Sequence, residues 1–359
     1  MSEKLIRLQN ALEQWRLDAV LLTRRDNIAW LAEGASYYVV ERAETGVASL
    51  LVTRDGVLLL APDNELPRIL AEEPLPFSCT TKHYPWYQSL NNMLPAGNIG
   101  SDTSIAATTD IQQKMVMLRQ GLTPEETQRF QALGAKTAQI VEGVARQLLA
   151  GVTEREVEAA VAAACLAHGI RPVCTLVAAD ERIALFKHPV PTCKKLKRQM
   201  LLTLGAERHG LHVSISRMVH IGEPDASLRQ RFLSLVNIYA DILAATQPQR
   251  TWSALFSDIT QAYQQHGYAD AWRHHHQGGP AGYGCRDWIV TPETQGEVQS
   301  NTAVAWNPTL SGVKSEDTFL ITEYGLQSLT RTESWPIITL QRGEQPIRLA
   351  DWLVLPTSS

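Results

Sequence analysis

The chain has 359 residues, which is too long for one ordinary hydrophobic core and predicts two domains. A net charge of −4 gives no basic footprint for nucleic acid, and no apolar run reaches the length of a membrane span. The N-terminus lacks the apolar core of a signal peptide. These properties predict a cytoplasmic protein that binds neither nucleic acid nor membranes. Reduced thiols fit this prediction, because five cysteines are odd in number and scattered: Cys79, Cys165, Cys174, Cys193 and Cys285.

The first part of the chain shows the pattern of a small α/β domain. Apolar residues at helical spacing predict an amphipathic helix over residues 3–16, and DAVLLT at 18–23 predicts a buried strand. Two further apolar runs flank Asp55-Gly56, a dipeptide typical of hairpin turns. GNIGSD at 97–102 is another candidate strand.

A change of pattern near residues 117–123 predicts the domain boundary, which divides the chain into 1–120 and 121–359. Thr123-Pro124-Glu125-Glu126 has the composition of a helix start, with an N-cap threonine, a proline at the first helical position and a glutamate three residues after the cap. Thr153 and Glu156 repeat this cap before a second Ala-rich stretch.

Strand patterns dominate beyond residue 170, with helical stretches at 225–246 and 253–267 among them. Helices followed by antiparallel strands indicate an α+β domain. The second domain is therefore predicted to belong to the α+β class.

Four segments of this second domain occur in an order and at spacings that resemble one family. They are FKHPVPT around His188, the strand pair LLTLGAERHGLHVSISRMVHIG, the glycine-rich HHQGGPAGYGCRDW and the late segment WNPTLSGVKSEDTFLITEYGLQSLT. In these segments the chain resembles the pita-bread hydrolases: Xaa-Pro aminopeptidase, prolidase, methionine aminopeptidase and creatinase. The resemblance covers nearly the whole chain. It implies a C-terminal pita-bread domain preceded by a smaller α/β N-terminal domain.

The peptidases of this family bind two metal ions through two Asp, one His and two Glu, and such ligands suit hard or borderline dications. Carried over residue by residue, the resemblance retains Glu316 and places other residue types at the remaining four positions: Thr203, Ser214, Gly279 and Asn307. A shifted register recruits His276 as a second ligand only. Since catalytic metal sites use at least three protein ligands, the expected number of bound metals or other cofactors is none.

Three consecutive histidines, His274, His275 and His276, precede the glycine-rich turn. If this run lies on a strand, His274 and His276 share one face and His275 points to the other. We expect these rings to pack, stack or bond backbone groups near the cleft rather than to hold a metal.

The remaining polar groups resemble the site of creatinase, which has this fold, lacks metal and hydrolyses a C–N bond. His188 matches the histidine that lies beside the scissile group. With Glu316 as its catalytic partner, it is expected to activate water and then protonate a leaving nitrogen. Arg286 is expected either to anchor a substrate carboxylate or to pair with Asp287 or Glu316.

The resemblance to creatinase is incomplete, because no acid stands at 214–216 where creatinase has a catalytic carboxylate. Creatine is therefore not the expected substrate. Asp317 is expected to anchor a strand turn, and His209 and His212 are expected to be structural groups. The predicted substrate-binding set comprises Arg286, His276, Tyr283, Asn307, Ser214 and Thr203.

The leading hypothesis is a metal-independent, homodimeric hydrolase of a C–N bond in a small metabolite. One alternative is a catalytically inactive homologue that binds a small molecule or peptide. A second is an Xaa-Pro aminopeptidase or dipeptidase with an atypical metal site built on the histidine run. The presence of both His188 and Glu316 favours the enzyme, whereas the absence of four of the five family ligands favours the binding protein.

Overall fold

A computed structural model describes residues 2–357 of the chain and divides them into two compact units. The first unit ends at Gln120 and the second begins at Gly121.

The first unit is built around a six-stranded mixed sheet with the strand order β4-β3-β2-β1-β5-β6. Its elements in chain order are α1 (Glu3–Trp15), β1 (Ala19–Arg24), α2 (Arg25–Leu31), β2 (Thr45–Thr53), β3 (Val57–Pro62), α3 (Leu66–Glu72), β4 (Thr80–Tyr84), β5 (Ile99–Ser101), β6 (Thr109–Asp110) and α4 (Gln112–Leu118).

Local sequence rules account for much of this unit. Leu5, Leu8 and Leu12 lie on the buried face of α1, as their helical spacing predicts. The hairpin between β2 and β3 closes through the Thr53 amide, which donates to the Gly56 carbonyl at 2.9 Å. The predicted first helix, first strand and hairpin are confirmed.

The second unit begins with two helices and continues mainly in strands. Its elements are α5 (Pro124–Arg146), α6 (Glu154–Leu166), β7 (Arg171–Ala179), α7 (Arg182–Leu185), β8 (Gln199–Arg208), β9 (Leu211–Ile221), α8 (Ala226–Ala245), α9 (Trp252–Gln265), β10 (Gly278–Ala281), β11 (Thr302–Trp306), β12 (Thr309–Leu310), β13 (Val313–Lys314), β14 (Asp317–Thr322), β15 (Gly325–Ser328), β16 (Ile337–Arg342), β17 (Gln345–Ala350) and β18 (Leu353–Leu355).

Both predicted capping boxes are present at the starts of α5 and α6. The Thr123 side chain accepts from the Glu126 amide, and the Glu126 side chain accepts from the Thr123 amide. Thr153 and Glu156 make the same reciprocal pair. Each box satisfies backbone donors that have no partner within the helix.

Two four-stranded sheets form the centre of the second unit, with the orders β18-β9-β8-β7 and β10-β11-β14-β15. They meet where Ser216 of β9 bridges to Glu316, whose carbonyl accepts the Ser216 amide at 2.9 Å. A buried core from α8, α9 and the strands, which includes Tyr239, Tyr263 and Trp306, packs beneath them. None of the helices described within residues 2–357 is long and apolar enough to cross a membrane.

Candidate active site

His188 lies on the loop between α7 and β8, which a buried glutamate holds at both ends. Glu154 Oε1 accepts from the Ala179 amide at 2.8 Å and from Arg182 Nε at 2.9 Å. Its Oε2 accepts from the amide and the hydroxyl of Thr192 at 2.8 and 2.7 Å. The side chain of Glu154 thereby fixes the chain on either side of His188, which is itself exposed.

The histidine run does not form a strand, so the predicted alternation of faces is wrong. His274 ends a 3₁₀ helix over Ala271–His274, and the chain becomes extended only at His275. The rings of His275 and His276 stack with centroids 4.4 Å apart, and the ring of His188 lies 4.9 and 5.9 Å from them. His188, His275 and His276 therefore form one histidine cluster, and His274 remains exposed outside it.

Hydrogen bonds define the proton positions in this cluster. His275 Nδ1 lies 2.6 Å from the His276 carbonyl, which only accepts, so Nδ1 carries the hydrogen. In a neutral ring, His275 Nε2 is then an acceptor, and His188 Nε2 donates to it across 3.1 Å. This assignment leaves Nδ1 of His188 as the acceptor nitrogen.

The surroundings keep these rings neutral. Burial, together with the positive charge of Lys314, lowers the pKa of His275 to about 3. Burial and the charge of Arg286 lower the pKa of His276 to about 4. Partial burial and Lys314 also lower the pKa of His188, against the opposing charge of Glu316.

Glu316 is a buried anion whose two oxygens are both occupied. Arg286 Nη2 donates to Oε1 at 2.8 Å, while Ser216 Oγ donates to Oε2 at 2.6 Å and Lys314 Nζ lies 3.0 Å from Oε2. Burial alone would raise the pKa of Glu316, but the charges of Lys314 and Arg286 and the Ser216 hydrogen bond lower it to about 2. Glu316 therefore serves as a counter-ion near neutral pH rather than as a proton carrier.

Arg286 makes the ion pair with Glu316 that was one of its two expected roles. Its Nη1 also donates to Ser214 Oγ at 2.9 Å. On the other side of Glu316, the hydroxyls of Thr203 and Ser216 lie 2.7 Å apart. Thr203 and Ser214 are thus joined to Glu316 through short polar chains instead of standing as separate groups.

The remaining predicted residues have different surroundings. The buried Tyr283 donates from its hydroxyl to Glu126 Oε1 at 2.5 Å, a contact that ties its loop to the start of α5. Asn307 is buried, and its Oδ1 has no hydrogen-bond partner among residues 2–357. Asp317 anchors β14 as expected, because it accepts from Arg217 Nη1 and Thr330 Oγ1. His212 makes a backbone contact through Nδ1, 2.9 Å from the Gly210 carbonyl.

Two cationic residues near His188 were not found by sequence reasoning. Lys314 is buried, with 6% of its side chain exposed, and pairs with Glu316. The sequence contained a signal for the pairing of Lys314 with Glu316, because residues two apart in an extended chain share a face. Lys187 precedes His188 and has a pKa lowered by burial and by repulsion from Lys314. No ion pair of Lys187 is found within the described part of the chain.

At the positions that the resemblance assigns to the family's metal ligands, the residues present do not match the chemistry of a two-metal centre. A side chain at Gly279 would place its Cβ 2.4 Å from the Trp288 carbonyl, so this backbone does not admit a histidine there. Thr203, Ser214 and Asn307 supply no charge at three other positions. Glu316, the carboxylate at the remaining assigned position, is already neutralised by Arg286 and Lys314.

The fold of the two units is that of the pita-bread hydrolases, and comparison with known proteins agrees. Residues 128–323 match Metallopeptidase family M24, and residues 4–140 match the Creatinase/Prolidase N-terminal domain. The chain belongs to Metallopeptidase family M24. This membership confirms the predicted fold class and the predicted kinship with hydrolases of C–N bonds.

Among its relatives, an Xaa-Pro dipeptidase of Pyrococcus furiosus is 25% identical over 93% of this chain and 99% of its own length. The solved prolidase of Pyrococcus horikoshii OT3 is similar with a TM-score of 0.80 at 20% identity, covering 92% of this chain and 99% of that one. An Xaa-Pro dipeptidase from Bacillus anthracis has a TM-score of 0.77 at 16% identity, with 98% and 99% covered.

Proposed function

We propose that the chain hydrolyses a C–N bond in a small substrate that carries a carboxylate, without the family's metal pair. The observation that carries this proposal is the contact between His188 and His275. A base held by a second group that is itself tied to the backbone is the arrangement of general-base catalysis. His188 lies on an exposed loop with its acceptor nitrogen, Nδ1, free of protein partners among the residues described.

The chemistry requires one proton to move twice. His188 Nδ1 removes a proton from water as the water oxygen attacks the carbonyl carbon of the substrate. The imidazolium then returns that proton to the substrate nitrogen while the C–N bond breaks, which restores neutral His188. His275 keeps Nε2 of His188 in place throughout, because its own Nδ1–H is held by the His276 carbonyl.

Charge favours an anionic substrate. Arg286 and Lys314 both pair with Glu316, and the charge of Lys314 also lowers the pKa of Lys187. Three cations against one carboxylate leave an excess of positive charge that attracts a carboxylate. Of these three cations, Lys187 is the one that lies on the loop of His188, directly before it in the chain. The curated relatives are dipeptidases, which agrees with a small substrate of this kind.

The proposal is tested by turnover in the presence of a chelator. The purified chain is assayed against dipeptides, Xaa-Pro dipeptides, and N-acyl and N-carbamoyl amino acids, each with its C-terminal amide as a control. We expect cleavage only of those compounds that carry a free carboxylate. His188→Ala should lower kcat by about 10²–10⁴-fold with KM within a few-fold, whereas His274→Ala should have no effect. Cleavage that requires added Mn²⁺ or Co²⁺ would contradict the proposal.

A second candidate is a binding protein for a small carboxylate. One observation favours it: Glu316, the surviving carboxylate of the family site, is fully engaged by Arg286, Lys314 and Ser216. Carboxylates that raise the melting temperature without being cleaved by the wild-type chain would support this candidate.

The homodimeric state and the cytoplasmic location of the protein stay predictions. Light scattering tests the first and cell fractionation tests the second.

A further inference from the structure

We propose that His188, His275 and His276 form a site for one Zn²⁺ ion or a similar transition-metal dication. This site is distinct from the positions at which the family's carboxylate ligands would stand, and it does not depend on the proposed hydrolysis.

The distances between the rings carry this inference. One ligand nitrogen from each histidine lies within 4.8 Å of the other two. Zinc–nitrogen bonds of about 2.0–2.1 Å in tetrahedral geometry place ligand nitrogens roughly 3.3–3.4 Å apart. The Nε2 atoms of His188 and His275 are already 3.1 Å apart, and a rotation of the rings within the 4.8 Å cluster brings the nitrogen of His276 onto the same ion.

The environment of the rings supports ligation independently. Metal-binding histidines usually donate their second ring N–H to a backbone carbonyl or carboxylate, which fixes the tautomer. His275 already does this through Nδ1 and the His276 carbonyl, leaving Nε2 available. His276 Nδ1 is buried, and no hydrogen-bond partner for it exists in the described chain.

The ligand type selects the ion. Imidazole nitrogens suit Zn²⁺ and its neighbours in the first transition row, whereas Mg²⁺ and Ca²⁺ require oxygen ligands. Lys314 and Arg286 repel any cation here, but Glu316 offsets one of these charges. Three protein ligands also leave a fourth position open, which is the arrangement of catalytic rather than structural zinc sites.

Metal binding changes the state of His188. Its Nε2 hydrogen must give way to the metal, so the ring adopts the other tautomer, with the hydrogen on Nδ1. The acceptor nitrogen required for the proposed hydrolysis is then lost. Zn²⁺ is therefore expected to inhibit the metal-free reaction and a chelator to restore it.

The test measures metal binding directly and needs no substrate. The chelator-treated full chain is titrated with Co²⁺ by visible absorption and with Zn²⁺ by calorimetry. We expect one ion per chain and the absorption of four-coordinate Co²⁺. His188→Ala and His276→Ala should each weaken binding by more than the roughly 10–100-fold that loss of a second-shell partner costs.

The exposed His274, next to the cluster in sequence, provides the matched control, and His274→Ala should bind as tightly as the wild type. His188 is on the surface, so His188→Ala remains informative if a variant at the buried His275 fails to fold. Absence of metal binding by the wild-type chain would overturn the inference. Metal affinities of both His188→Ala and His276→Ala within about twofold of the wild-type affinity would also overturn it. Loss of hydrolysis alone bears on the proposed function and leaves this result unchanged.

Discussion

Glu316 and Arg286, thirty residues apart in sequence, form a buried ion pair with Nη2 and Oε1 2.8 Å apart. Lys314 completes the pair from the other side of the carboxylate, with Nζ 3.0 Å from Oε2. The resemblance to the pita-bread peptidases assigns Glu316 to one of their metal-binding carboxylates. In this chain, the cations Arg286 and Lys314 both lie against that carboxylate.

The first prediction concerns this ionic cluster. Glu316→Gln removes the carboxylate that Arg286 and Lys314 share and leaves both cations without this partner, so we expect the free energy of unfolding to fall by about 3–5 kcal/mol. Lys314→Met added to Glu316→Gln restores the charge balance and should recover part of that loss. Chemical denaturation of Glu316→Gln, Lys314→Met and the double variant measures the coupling free energy between the two residues. Strictly additive losses would show that Lys314 and Glu316 do not stabilise each other.

The second prediction concerns Lys187. Lys187→Met should raise KM for carboxylate substrates and leave kcat nearly unchanged, because attraction of the substrate charge acts equally on the ground state and the transition state. The difference in KM between Lys187→Met and the wild type should become smaller as salt is added, because salt screens the attraction between charges. Lys197→Met removes an exposed charge elsewhere on the surface and serves as the control. An equal change in KM for the uncharged amide substrates would contradict the assigned role.

The third prediction uses two glycines with opposite surroundings. At Gly279 a Cβ would lie 2.4 Å from the Trp288 carbonyl, whereas at Gly143 within α5 nothing lies within 4 Å. Gly279→Ala should therefore destabilise the protein. Gly143→Ala should stabilise it by about 0.5–1 kcal/mol through helix propensity. Thermal or denaturant unfolding distinguishes the two, and a stable Gly279→His variant would refute the steric argument against a histidine ligand there.

The fourth prediction is a pH dependence in the first unit. Burial would raise the pKa of Asp26, but Arg119 and Arg24 outweigh it and lower the pKa below its ordinary 3.8. Arg119 Nη1 lies 2.9 Å and Arg24 Nε 3.1 Å from the carboxylate. Because the folded pKa is the lower one, this stabilisation is complete above the ordinary value and is lost as pH falls through the folded pKa.

We therefore expect Asp26→Asn to be less stable than the wild type at pH 7 and to lose less stability on acidification. Unfolding free energies measured from pH 7 to pH 3 give the two slopes. Asp55→Asn, which changes an exposed turn residue, should keep the wild-type slope. Parallel slopes for Asp26→Asn and the wild type would show that this ion pair does not contribute to the acid sensitivity.

Local physical rules made much of the fold readable from the sequence. The reciprocal bonds of Thr123 with Glu126 and the turn at Asp55-Gly56 involve residues within a few positions of each other, so the local sequence is enough to predict them. The order of motifs around His188 and Glu316 likewise indicated the family, which the match over 128–323 confirms.

Only the tertiary structure decided how the site residues pair. His188 meets His275 across 87 positions, and Arg286 meets Ser214 across 72. Sequence spacing does not specify such contacts, because they depend on which strands adjoin and where a short 3₁₀ turn ends. That turn placed His275 and His276 together beside His188, where a continuous strand would have separated them. The sequence thus determined the scaffold and most of the residue types present at its centre. The packing of distant elements determined which of those residues share a proton, neutralise a charge or face one another closely enough to hold an ion.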